Sequence, residues 1–219
     1  MAAIRAVLFD LYDTLAWADG AILDAGRAEI ALRAGIDPIA FLDDLRVTEP
    51  ARFRGELGSD EEQLTTVLRS CGARLTPSEI HELALLERAT WRRGVTLYDD
   101  ALDHLQASRR RGFRLALVSN CAAQSALWIA DQRLDREVDH VVLSCDVGSM
   151  KPEPAIFRAA LERIDVAPDE ALFVDDRAGH LDAARELGLQ TVLIARGATR
   201  IPPTGHLTIG ALADLMAML

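Results

Sequence analysis

Apolar residues along this chain gather in short continuous runs, and most of these runs end in a polar residue. Ala3–Phe9 runs into Asp10, Arg114–Val118 into Ser119 and Asn120, Ala171–Val174 into Asp175 and Asp176, and Val138–Leu143 into Ser144, while Thr191–Ile194 follows Gly188. Runs of this length predict strands buried on both faces. Between them, helical periodicity covers Asp99–Arg111 with Gly112 as the stop, Ala122–Arg133, Pro154–Ile164, and Ala178–Leu187 with Gly188 as the stop. Strands alternating with helices of this length require right-handed crossovers, which predicts an α/β core built on a mostly parallel sheet.

Residues 16–93 follow a different pattern. Helical spacing appears near Ala21–Ala34, Pro38–Val47, Asp60–Cys71 and Pro77–Arg93, with breaks at Gly35–Pro38, Gly55–Ser59 and Gly72–Thr76 and no strand-like alternation. The expected organisation is a core formed by residues 1–15 and 94–219, interrupted by an all-helical insertion over 16–93.

Composition narrows the functional classes. The 219 residues carry 24 Lys+Arg against 34 Asp+Glu, a formal charge of −10, and 50% are hydrophobic. That suits a globular chain with a substantial core and argues against nucleic acid or an anionic membrane surface as partner. Cys71, Cys121 and Cys145 form no C-x-x-C pair, so they read as buried thiols rather than a disulfide framework or zinc site. The N-terminal apolar stretch meets Asp10 too early for a signal-peptide core, and a cytoplasmic location is expected.

In an open parallel sheet, ligands bind beyond the carboxyl ends of the strands, where the strand order reverses. Asp10, Ser119, Asp175 and Asp176 all lie at such ends, so several carboxylates are expected to crowd together. Crowded carboxylates need a proton or a cation. Lys151 is the only lysine and Asn120 the only asparagine in the chain. Lys151 falls in the loop before the Pro154 helix, at the same sheet edge, where an ammonium would offset carboxylate repulsion. The five histidines show no metal-site spacing; His180 reads as a helix-start residue whose position near the site keeps it as a candidate proton donor, Trp17 and Tyr98 as hinge packing, and Trp91 and Trp128 as helix-face core. Gly197–Pro203 reads as a loop.

Four segments in order, F-D-L-Y-D-T-L at Phe9–Leu15, V-S-N at Val118–Asn120, K-P-E-P at Lys151–Pro154 and F-V-D-D at Phe173–Asp176, resemble the motifs of the haloacid dehalogenase-like hydrolase superfamily. The resemblance spans the core, and the insertion matches that superfamily's helical cap. It implies a Rossmann-like three-layer core with Asp10 as nucleophile and Lys151 holding Asp10 ionised. Thr14, Ser119, Asn120 and Tyr12 would be substrate contacts. Mg²⁺ would be bound by Asp10, the Tyr12 carbonyl and Asp176, with Asp175 in support.

One residue departs from the phosphatase pattern. Phosphatases of the superfamily usually carry a second aspartate two positions after the nucleophile, and here that position is Tyr12; Asp13 is expected to point to the opposite side of an extended strand end. A tyrosine there resembles the metal-independent 2-haloacid dehalogenases, in which halide leaves without a proton. For such an enzyme Arg52, Arg54 and Arg92 are candidates to bind the substrate carboxylate. The paired Asp175-Asp176 instead resembles the phosphatases. The leading expectation is a Mg²⁺-dependent phosphatase of a small phosphorylated metabolite; the alternatives are a 2-haloacid dehalogenase and a catalytically impaired binding module.

Overall fold

A computed structural model of the chain describes residues 2–197 and 205–216. The elements in order are β1 (Ala6–Phe9), β2 (Ala16–Ala18), α1 (Gly20–Arg33), α2 (Pro38–Val47), α3 (Glu49–Phe53), α4 (Asp60–Ser70), α5 (Pro77–Gly94) and β3 (Val95–Leu97). They continue with α6 (Ala101–Arg110), β4 (Arg114–Ser119), α7 (Gln124–Asp131), β5 (His140–Leu143), α8 (Ser144–Val147), α9 (Pro154–Ile164), β6 (Ala171–Asp175) and α10 (Ala178–Glu186). The described chain closes with β7 (Gln190–Ile194), β8 (Leu207–Ile209) and α11 (Leu212–Met216).

Six strands form one sheet in the order β5-β4-β1-β6-β7-β8, all parallel. The chain leaves β1 for β4 and β5 on one side, then crosses back to β6, β7 and β8 on the other. The order therefore reverses between β1 and β6, and Asp10 and Asp175 lie at the carboxyl ends of those two strands.

Burial of β1 on both faces explains its continuous apolar spelling. Val7 and Phe9 join Leu115, Leu117, Val174 and Trp128 in one cluster, while Ala6 and Leu8 join Val118, Phe157 and Phe173 in another. Helices α1, α2, α4 and α5 bury a third cluster of their own around Ile30, Phe41, Leu45, Val67 and Leu83. Their starts are set locally: Ser59 with Glu62 and Thr76 with Glu79 form capping boxes, and Asp19 and Asp37 accept from the first turns of α1 and α2.

The insertion is not wholly helical. Ala16–Ala18 pairs antiparallel with Val95–Leu97, joining the two points where the insertion leaves and re-enters the core. A three-residue strand is too short to show alternation, and pairing rather than pattern creates it. The short helices α3, α8 and α11 and strand β8 likewise lack a sequence signature, and most of the Gly197–Pro203 loop lies outside the described residues. No helix among the described residues is long and apolar enough to cross a membrane.

Candidate active site

Asp10 continues β1, its amide bonded to the Val174 carbonyl at 2.9 Å. Its side chain is 6% exposed by residue and accepts from the Lys151 ammonium. Lys151, 3% exposed, also donates to Asp175 Oδ2 at 2.8 Å and to the Val118 carbonyl at 2.9 Å, so all three ammonium protons have acceptors. Asn120 holds the loop that carries this lysine. Its Nδ2 donates to the Lys151 carbonyl at 2.8 Å and its Oδ1 accepts from the Lys151 amide at 2.7 Å.

The two adjacent aspartates have separate tasks. Asp175 is fully buried at the end of β6 and accepts from Lys151, from His180 Nδ1 at 3.0 Å and from the Arg177 amide at 2.8 Å. Burial alone would push its carboxyl up, but Lys151 and His180 hold it below the usual range. Its oxygens thus have donors within the protein and tie Lys151 and His180 to the end of β6. Asp176 has no such partners among the described residues: burial, with Asp175 and Asp13 nearby, pushes it up to about 6.

Asp10 is pushed up to about 7, first by burial and then by Asp175 and Asp176, against the pull of Lys151. Burial draws Lys151 down, yet the Asp10 and Asp175 carboxylates outweigh it and keep the ammonium above its ordinary value. One lysine does not neutralise the cluster. Oxygen atoms of Asp10, Asp175 and Asp176 lie within 4.8 Å of one another, and the unmatched charge on Asp10 and Asp176 is what a hard divalent cation would offset.

Asp10, Tyr12, Asn120, Lys151 and Asp176 line a cavity of about 380 Å³, together with Asp13, Arg177 and His180 from the core and Arg27, Glu49, Arg52, Phe53 and Trp91 from the helical insertion. Thr14 and Ser119 are fully buried behind this lining, and neither hydroxyl has a protein partner among the described residues. Tyr12 bonds Ser125 Oγ at 2.8 Å and its ring lies 6.0 Å from that of Trp91. Burial raises the Tyr12 hydroxyl far above its ordinary value, so it stays protonated.

Several placements differ from those expected. Asp13 does not turn away: the strand ends at Phe9, Asp13 takes a left-handed φ of 59°, and its residue lines the cavity, because alternation does not extend into a turn. Trp91 lines the cavity and is only partly buried, whereas Trp128 is core. His180 is a buried partner of Asp175 as well as a helix-start residue. Of the three arginines singled out, only Arg52 reaches the cavity; Arg54 pairs with Glu153 at 2.5 Å and Arg92 with Asp131 at 2.6 Å. Arg27, Glu49, Gln124 and Ser125 were not legible, since nothing local separates them from surface residues of the same type. Cys121 and Cys145, distant in sequence, come together: contact with Cys145 and then burial drive the Cys121 thiol well above its ordinary value.

Tight contacts seat the insertion on the core. Gly55, at φ 70°, lies so close to the core that a Cβ there would stand 2.0 Å from the Cys145 carbonyl oxygen. Near it is the Arg54–Glu153 pair. Within the core itself, Arg196 donates to the Thr14 carbonyl at 2.7 Å, pairs with Asp100 at 2.8 Å and stacks 4.0 Å over the Tyr98 ring.

Fold and site define an α/β protein with a carboxylate cluster at the switch point of its parallel sheet. The family model for haloacid dehalogenase-like hydrolases matches residues 4–188, and the chain belongs to that family. It is 30% identical over 199 residues to a glyceraldehyde 3-phosphate phosphatase of Methanopyrus kandleri, covering 89% of this chain and 85% of that protein. It is 29% identical over 141 residues to bifunctional epoxide hydrolase 2 of Rattus norvegicus, covering 58% of this chain but only 23% of that longer protein. An (S)-2-haloacid dehalogenase 4A of Burkholderia cepacia is 33% identical over 105 residues, covering 47% of this chain and 45% of the relative. Among solved structures, a HAD family enzyme of Bacteroides thetaiotaomicron superposes with a TM-score of 0.73 at 21% identity, covering 90% of this chain and 97% of that one.

Proposed function

We propose that this hydrolase is a Mg²⁺-dependent phosphatase of small phosphorylated metabolites, with Asp10 as its nucleophile. The observation that carries this reading is the carboxylate excess at Asp10 and Asp176, beyond what Lys151 offsets. Asp10, Asp176 and the Tyr12 carbonyl would hold the cation, which when bound supplies positive charge against the phosphoryl oxygens. Asp175, which also accepts from Lys151, His180 and the Arg177 amide, would support that set.

In this reading an Asp10 carboxylate oxygen forms a bond to phosphorus while the bond from phosphorus to the ester oxygen breaks, and the leaving oxygen departs with that electron pair and takes its proton from water. Water then attacks phosphorus, which releases inorganic phosphate and restores the Asp10 carboxylate. Lys151 keeps Asp10 ionised and correctly placed, and Asn120 fixes the Lys151 loop. The Thr14 and Ser119 hydroxyls, without a partner among the described residues, are assigned to the nucleophile or the transferred group. Tyr12 remains a protonated, Ser125-bound wall, so the leaving oxygen favours substrates that depart readily. Residues 16–93 act as a cap over a core of 1–15 and 94–219, excluding water from the cavity.

Tyr12 supports a second reading, a metal-independent 2-haloacid dehalogenase in which Asp10 displaces halide from carbon. Asp176 weighs against it, because that chemistry leaves its crowded carboxylate without a counter-charge. Phosphate release from p-nitrophenyl phosphate with Mg²⁺ or EDTA, beside halide release from 2-chloropropionate, separates the two.

A further inference from the structure

Two cysteines that the proposed reaction does not use meet at the carboxyl edge of the sheet. Strands β4 and β5 run parallel with Ser119 opposite Leu143, so Cys121 and Cys145 each lie two residues beyond a matched pair. Ser144 ties the two strand ends together: its Oγ accepts from the Cys121 amide at 2.9 Å and donates to the Cys121 carbonyl at 3.2 Å. Neighbouring strands lie about 4.8 Å apart, and a disulfide needs Cα atoms about 4.4–6.8 Å apart. The two thiols are in contact, and Cys145 packs against the core cluster that includes Cys121. The third cysteine, Cys71, closes α4 in the insertion, where its thiol donates to the Ala40 carbonyl at 3.7 Å.

The two thiols are unequal. Cys121 is buried and lines the cavity, whereas Cys145 is only half-buried. Their contact draws the Cys145 thiol below its ordinary value, against burial and the neighbouring Asp146 carboxylate. Cys145 is therefore the sulfur that meets an oxidant from solvent, and Cys121 the one placed to resolve the product. Position gives the pair a consequence. Cys121 follows Asn120, whose side chain holds the Lys151 loop, and the Cys145 carbonyl is the atom against which Gly55 of the insertion is seated. Joining the sulfurs at about 2.05 Å draws these two segments together.

We propose that Cys121 and Cys145 form a redox pair that a peroxide closes to a disulfide, slowing turnover by shifting the Asn120 loop and the seat of the insertion. The Cys145 sulfur attacks one peroxide oxygen and the O–O bond breaks. Its electron pair leaves with the other oxygen, which takes the thiol proton and departs as water. The Cys121 sulfur then attacks the sulfur of the resulting sulfenic acid, its proton leaves with the hydroxyl group as a second water, and the S–S bond forms. Two thiols are thereby oxidised and one peroxide is reduced to two waters. Dithiothreitol reverses the bond by thiol exchange and is itself oxidised to its cyclic disulfide.

The test exposes the reduced protein to hydrogen peroxide and maps its peptides without reduction. The expected result is a peptide bearing Cys121 joined to one bearing Cys145, a loss of two hydrogens in the intact mass, and recovery of both thiols with dithiothreitol. Cys71→Ser should form the same link and Cys145→Ser should not. Turnover of p-nitrophenyl phosphate with Mg²⁺, which rests on the phosphatase reading, should fall about tenfold or more in the linked protein and return on reduction. Cys145→Ser should keep its turnover through the peroxide treatment. Sulfinic acid on Cys145 in place of the link, a link through Cys71, or thiols that both remain free overturns the pair. A link that leaves turnover unchanged overturns its effect on the site. Protein that forms the link yet hydrolyses no phosphate ester before treatment counts against the phosphatase reading and not against the pair, which the peptide map decides alone.

Discussion

Asn120 and Lys151 are joined by two hydrogen bonds, 2.8 Å from the amide nitrogen to the lysine carbonyl and 2.7 Å from the lysine amide to the amide oxygen. The chain's only asparagine thus grips the backbone of its only lysine, 31 residues away. Because the side chain of that lysine reaches Asp10, the grip sets the position of the charge beside that carboxylate. Asn120→Ala would leave a largely buried amide and carbonyl without partners, costing about 1–3 kcal/mol of stability. Displacement of Lys151 should lower kcat by about 100-fold. Asn120→Asp keeps the acceptor and loses the donor, so its kcat should fall between the two. Thermal melts and steady-state kinetics of both variants check this.

Lys151→Met should be more damaging to the fold than its size suggests. It removes the ammonium that Asp10 and the fully buried Asp175 share, and breaking a buried pair from one side costs about 3–5 kcal/mol. Denaturant unfolding should show that loss near neutral pH. The loss should shrink as acid protonates the two carboxylates; a pH-independent loss would contradict the assignment.

Glu87 predicts a pH dependence of stability within the helical insertion. Burial first, then Asp60, raises its carboxyl from 4.5 to about 7, against Arg52, Arg27 and Arg88. Below its ordinary value the group is protonated whether folded or unfolded and costs nothing. As pH rises from there toward 7 the unfolded chain releases the proton while the folded chain keeps it, so stability falls by about 3 kcal/mol and then levels off. Glu87→Gln should therefore melt above the unaltered protein at pH 8 and level with it at pH 4. Parallel melting curves across this range would refute the shift.

Gly55→Ala tests how the insertion is seated. The new methyl group would meet the Cys145 carbonyl at 2.0 Å from a left-handed backbone position, so the contact must open. Overpacking of this kind costs about 1–3 kcal/mol, and KM should rise because the insertion supplies the roof of the cavity. Gly35→Ala, also at a left-handed φ but with open space around it, should lose stability without changing KM.

What the sequence disclosed, and what it did not, follows from the range over which each feature is determined. The sheet was legible because central parallel strands must be apolar throughout, and β1, β4 and β6 announce themselves that way. Strands β2, β3 and β8 have three residues each and exist through pairing, so no local pattern marks them. Asp10, Lys151 and Asn120 stood out by position and rarity. The division of labour between Asp175 and Asp176 did not, because two adjacent identical residues differ only in which one the strand end turns inward toward Lys151. Asp13 was misplaced for a related reason: period-two reasoning was carried past the end of the strand into a turn. Arg27 and Arg52 were hidden among 23 arginines, and only the folded insertion shows which of them face the cavity.

The most direct test of the account is phosphate release from p-nitrophenyl phosphate by the unaltered protein and by Asp10→Asn, each with Mg²⁺ and with EDTA. The account predicts release by the unaltered protein with Mg²⁺ only, and a fall of several orders of magnitude in Asp10→Asn at preserved folding. Equal activity of the two proteins, or halide release from 2-chloropropionate that EDTA leaves untouched, would contradict it.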